Sequence, residues 1–159
     1  MSLVEIIDDL VTHNDFKENV KYLTKTFLPG QVIQEQGTMP VHIYLIKKGK
    51  VNLSINCINH YSSHYEVLHP TLISIGPGEF VCELSLFEKT LSPTDVIAAE
   101  DCDVVEFEIE SLKCFLEKHP EIAYYFMLEI IKSHSIQIRH AEKAIGVLYA
   151  WGLHVHHID

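Results

Sequence analysis

The side chains in this chain that could do chemistry are its thiols, its imidazoles and one run of carboxylates. Cys57, Cys82, Cys102 and Cys114 include no CxxC pair, so they read as reduced, small apolar residues rather than as a redox pair or an iron–sulfur site. His60, His64 and His69 fall at spacings of four and five on a polar stretch. A metal-dependent cupin-like enzyme would need His-x-His and a nearby glutamate facing into a barrel. That reading is the weaker alternative, and a surface loop fits the spacing better. His154, His156 and His157 could chelate a transition metal adventitiously, but they stand where a chain end is expected to fray. No nucleophile elbow, phosphate loop or supported carboxylate pair is present, so the sequence predicts no enzyme, no metal and no catalytic residue.

The carboxylates are concentrated. Of a formal net charge of −10, residues 79–110 hold ten acids against the single Lys89, while residues 1–78 carry seven acids against six lysines. Arg139 is the only arginine. Nucleic acid and anionic membranes need clustered Lys and Arg, so neither is expected as a partner. No apolar run is long enough to span a bilayer and the N-terminus lacks a signal-peptide layout, which makes the cytoplasm the expected compartment. At 159 residues, nearly half of them apolar, a single domain with a real core is expected.

Positioning any such group falls to three kinds of element. Residues 1–26 read as short N-terminal helices, with Leu3, Ile6, Ile7, Leu10 and Val11 on one face and Val20, Leu23 and Phe27 marking a second turn after Asn14-Asp15. From residue 27 to 110 the period changes to two, in β-branched runs such as Ile43–Ile46, Val51–Ile55, Leu72–Ile75 and Val104–Ile109. Glycines 30, 37, 49, 76 and 78 punctuate them, and Lys48-Gly49 is a hairpin signal. The fold class predicted is mainly β with flanking helices: an antiparallel β-roll of about eight strands with a polar hairpin tip over 59–70. A short helical segment is expected around Glu83–Phe87, and helical period returns over 111–150, punctuated by His119-Pro120. Residues 151–159 read as a tail, because Gly146 weakens the helix before them.

The last helix carries a heptad. Tyr124, Ile131, Ile138 and Ile145 share one position, and Met127, His134, Ala141 and Leu148 share the other. Isoleucine at the first position favours two-stranded pairing, so a homodimer seam through Met127, Ile131, His134, Ile138, Ala141, Ile145 and Leu148 is predicted.

Phe27-Leu28-Pro29-Gly30, Gln36-Gly37, Ile43-Tyr44-Leu45-Ile46, Lys48-Gly49-Lys50-Val51 and Gly78-Glu79-Phe80-Val81-Cys82-Glu83-Leu84-Ser85-Leu86 stand in this order and register. Over about residues 20–145 the chain resembles the cyclic-nucleotide-binding domains of catabolite activators and cyclic-nucleotide-dependent kinases. The resemblance implies a phosphate cradled by helix-start amides and an arginine, with a glutamate on the ribose hydroxyl. Carried over, Glu83 matches the ribose glutamate, and Leu84 and Ser85 could offer amides. Cys82 replaces a glycine. Ser92, or Thr94 if Pro93 is aligned with the family's proline, stands where the arginine belongs, and Pro93 has no amide to give. A hydrogen bond to a charged group is worth roughly 1.5–3 kcal/mol, so losing the arginine costs about tenfold to a hundredfold in affinity.

The sequence therefore predicts a stand-alone regulatory or sensor module of this type, with binding of cyclic AMP or GMP impaired or absent, acting through dimerisation or a protein partner. The alternative is a genuine receptor using Glu83, the amides of Leu84 and Ser85, and a cation such as a lysine or Arg139 from a partner's long helix. The family's transcription factors append a DNA-binding domain after that helix. Only about ten residues follow it here, and direct DNA binding is not expected.

Overall fold

The structure is a computed structural model and describes residues 5, 7, 10–58 and 66–156, of His156 the backbone alone. Helix α1 (Asn14–Asn19) leads into β1 (Tyr22–Phe27), β2 (Val32–Gln34), β3 (His42–Lys48), β4 (Val51–Ser54), β5 (Cys57–Ile58), β6 (Val67–Leu68), β7 (Thr71–Ile75) and β8 (Phe80–Val81). A single 3₁₀ turn (Glu83–Leu86) precedes β9 (Asp95–Ala98) and β10 (Cys102–Glu108), followed by α2 (Ile109–Lys118) and α3 (Pro120–His156). Two four-stranded antiparallel sheets, ordered β1-β10-β3-β8 and β2-β9-β4-β7, face each other as a roll, and β5 and β6 form a separate antiparallel pair. His60 and His64 lie outside the described residues. His69 contacts the Asn56 amide oxygen through Nδ1.

The alternation along β3 explains how the roll and the helices share one sheet. Ile43 and Leu45 point to a cluster with Phe16, Phe107, Phe115 and Phe126, whereas Tyr44 and Ile46 point into the roll with Val51, Ile75, Val96 and Val104. All four are buried, as a strand covered on both faces requires. Phe126 of α3 packs on Phe80 of β8 with ring centroids 5.3 Å apart, so the long helix is anchored one residue pair before the 3₁₀ turn. The β3–β4 hairpin turns at Gly49, whose φ is 81°; a Cβ there would stand 2.3 Å from the Asp101 carbonyl oxygen. Only glycine fits that approach.

Three boundaries differ from those predicted. Residues 22–26 are strand, not helix: β1 pairs with β10 from Tyr22↔Phe107 to Phe27↔Cys102, and this six-residue ladder satisfies backbone groups that three apolar residues at helical spacing could not. Ten strands are present among the described residues rather than about eight, the difference lying in two-residue pairings. Helix α3 does not end near 150. It continues through Gly146 and Gly152 to His156, a run of 37 residues and about 55 Å. No helix among the described residues is long and apolar enough to cross a membrane.

Candidate functional site

A cavity of about 400 Å³ opens between the roll and α3, and the predicted cassette lines it: Cys82, Glu83, Leu84, Ser85, Ser92, Pro93 and Thr94 all border it. Leu53, Ile75, Val81, Leu91 and Val96 make most of the remaining wall, and His134 and Gln137 close it from α3.

The cassette begins with a backbone feature. Cys82 has φ 65° and ψ 12°, the one non-glycine residue in the left-handed region among those described. The residue has changed from the resembled glycine, but the backbone has kept a glycine's conformation, at a cost of order 1–3 kcal/mol. Burial, with the Glu83 charge adding to it, pushes the Cys82 thiol up to about 12, so it stays protonated at neutral pH and is no nucleophile. From this turn Glu83 enters the cavity wall with its side chain 9 % exposed. The Ser85 amide donates to the Cys82 carbonyl at 3.2 Å and closes the 3₁₀ turn. It is therefore not the free donor that the resemblance implied, and Leu84 turns an exposed side chain to the rim.

Ser92 is buried and structural. Its hydroxyl donates to the Thr94 carbonyl at 2.7 Å, its amide donates to Thr38 O at 2.8 Å, and its carbonyl accepts from Gly37 N at 2.8 Å. Thr94 borders the cavity without bringing a charge, and Arg139 is exposed on α3 and lines no part of it.

The residue missed by sequence reasoning is His134. Its heptad position assigned it to the seam, but the structure directs its ring at the cassette, with Nε2 2.5 Å from Glu83 Oε1. The contact is short, Nε2 is buried without a well-formed hydrogen bond, and the two groups form an ion pair when the imidazole is protonated. The Glu83 carboxylate raises the imidazole pKa above the ordinary histidine value, against the opposing effect of desolvation. Next to it, Gln137 Nε2 donates to Ser133 Oγ and Ser133 Oγ donates to Glu79 Oε1, each at 3.3 Å. Glu79 Oε2 also accepts from Gly76 N at 2.9 Å, which ties α3 to the β7–β8 turn.

The ten acids of 79–110, concentrated in sequence, are dispersed in space. Only Glu83 and Glu88 border the cavity. Glu106 is buried against Lys25 Nζ at 2.7 Å and His42 Nε2 at 3.4 Å, Glu108 pairs with Lys21, and Asp95 accepts from Gln36 N and Asn56. Among the described residues no group of three or more His, Cys, Asp or Glu is placed to hold a metal ion.

The predicted seam residues sort by height along α3. Met127 and His134 are half-buried, and Ile131, Ile138, Ala141, Ile145 and Leu148 are exposed in the single chain, while the neighbouring Phe126 and Ile130 are buried on the roll. The stripe does not fold back on the roll.

A two-sheet antiparallel roll, a short helical turn after β8 and a long helix closing the space between them define a regulatory domain of the cyclic-nucleotide-binding type. The chain belongs to the cyclic nucleotide-binding domain family, whose sequence model matches residues 24–119. It is 26 % identical over 106 residues to a cyclic AMP receptor protein of Thermus thermophilus, covering 66 % of this chain and 46 % of that protein. The chain thus spans about half the length of this curated relative. Its fold is similar to that of CLP, the c-di-GMP responsive global regulator of Xanthomonas campestris (TM-score 0.71, 16 % identity, 92 % of this chain and 63 % of that one). It is also similar to the heme domain of CooA from Carboxydothermus hydrogenoformans (TM-score 0.60, 16 % identity, 96 % and 97 % of the two chains).

Proposed function

We propose that this chain is a non-catalytic regulatory or sensor module of the cytoplasm, impaired in or devoid of cyclic AMP and cyclic GMP binding. Its output passes through α3, by pairing with a second copy or by engaging a protein partner. The observation that carries this reading is the combination at the cassette of a buried Ser92, whose hydroxyl is spent on Thr94 O, with a buried Glu83 already paired to His134. No lysine or arginine lines the cavity among the described residues. A cyclic phosphate would enter beside Glu83 and Glu88 with only an imidazole that is engaged elsewhere, and burying an uncompensated charge is costly. The exposed stripe of Ile131, Ile138, Ile145 and Leu148 supports pairing through α3, since each fully buried aliphatic side chain is worth about 1.5–3 kcal/mol.

A genuine cyclic-nucleotide receptor is the second reading, favoured by the presence of Glu83 on the cavity wall where a ribose hydroxyl could donate to it. Calorimetric titration with cyclic AMP and cyclic GMP separates the two. The impaired-cassette reading expects no binding tighter than about 10 μM, on the strength of the lost charged contact. Tighter binding that disappears in Glu83→Ala establishes the receptor instead.

A further inference from the structure

We propose that the cassette cavity accepts a small organic cation, an ammonium-type head on an apolar body, whose head takes the place of His134 on Glu83. The inference rests on the impaired-cassette reading and names the ligand class for that same cavity.

The argument starts from Glu83. A carboxylate this buried cannot be left bare, so some donor must face it in every state of the domain. The donor it has is not supplied by the roll. It comes from α3, a separate element, through an Nε2 at contact distance but without an aligned hydrogen bond. Such a partner can be exchanged, provided the incoming group also carries positive charge or strong N–H donors. An anion would leave the buried Glu83 uncompensated and would meet the exposed Glu88 as a second like charge. The rest of the wall is chiefly apolar, with Leu53, Ile75, Val81 and Val96 inside and Leu91 at the rim, which suits a hydrocarbon body. At about 400 Å³ the space has room for a ring with a short arm. An ammonium has three donors and reaches Glu83 without constraint from a helix backbone, so it makes the aligned contacts that the His134 ring does not.

Three probes that share a phenylethyl body test this on the intact chain by calorimetry: 2-phenylethylammonium, neutral 2-phenylethanol and anionic 3-phenylpropionate. The expected ranking places the ammonium about tenfold or more ahead of both others. H134Q, which removes the resident charge while keeping a side chain of similar reach, is expected to bind the ammonium more tightly. E83Q is expected to bind ammonium and alcohol equally. In the unaltered protein, the imidazole resonances of His134 are expected to move on addition of the ammonium, a readout that needs no variant to fold. Equal binding of the three probes, preference for the carboxylate, or binding of none at millimolar concentration overturns the proposal. If cyclic AMP binds below about 10 μM and E83A abolishes it, the underlying reading falls. A protein silent to cyclic nucleotides that ranks the probes equally loses this inference alone.

Discussion

His134 Nε2 lies 2.5 Å from Glu83 Oε1, so the long C-terminal helix places an imidazole on the buried carboxylate of the cavity wall. This pair couples the helix that would dimerise to the turn that would hold a ligand.

The pair makes stability depend on pH with a definite sign. His134 has its folded-state pKa raised above the ordinary value of 6.5, chiefly by Glu83. The contribution is fully present below the unfolded-state pKa and is lost as pH rises through the folded one. Urea melts of the parent chain and of His134→Gln are expected to differ most near pH 6 and to converge toward pH 9, with the difference moderated because the imidazole is partly exposed. A gap that widens with rising pH contradicts the ion pair.

Cys82 keeps a left-handed backbone, which orders its substitutions. Cys82→Gly is expected to stay within about 1 kcal/mol of the parent, since relief of strain offsets lost packing and added chain entropy. Cys82→Val, β-branched at positive φ, is expected to lie about 1–3 kcal/mol below it. Denaturant midpoints give both numbers. In the parent protein, maleimide at neutral pH is expected to label the exposed Cys114 long before Cys82, whose thiol is pushed up to about 12.

Two glycines are expected to respond in opposite directions. Gly49→Ala would press a Cβ against the Asp101 carbonyl at 2.3 Å in a backbone of positive φ, and a loss of about 2 kcal/mol or more is expected. Gly146→Ala meets no atom within 4 Å on the exposed part of α3, and a gain of about 0.5–1 kcal/mol in helix stability is expected. Thermal melts of the two variants check both signs.

Exposure of Ile131, Ile138 and Ile145 predicts a concentration-dependent dimer by sedimentation. Ile138→Glu is expected to give a monomer that keeps the fold of the roll, since the side chain touches none of the core. A parent chain that is monomeric throughout the micromolar range would refute the seam.

Much of the roll was legible because its signals are local. Glycines at 30, 37, 49 and 78 all adopt positive φ, and alternation along 43–46 and 104–107 reports faces directly. That Cys82 to Ser85 and Ser92 to Thr94 would share one site was legible as an order of residues, and all of them border the cavity. What escaped was tertiary. Val20, Leu23 and Phe27 satisfy a helical spacing, yet the partner that makes the last two strand, β10, lies some eighty residues away. His134 satisfies a heptad, and nothing in its neighbours tells which way the ring turns. The ten acids look like one feature in sequence, but the alternation of β10 and the reach of Lys21, Lys25 and His42 disperse them.

Ser92 bears on reversibility. Ser92, one of the two positions that the resemblance matched to an arginine, is not a vacant place: its buried hydroxyl stitches it to Thr94, and its main chain stitches it to Gly37 and Thr38. Ser92→Arg alone would break that stitch, bring a large guanidinium into a buried site, and still find proline at 93 and His134 on Glu83. Each of these features opposes the change by itself, so installing a guanidinium contact at this end of the cavity would require several positions to change together.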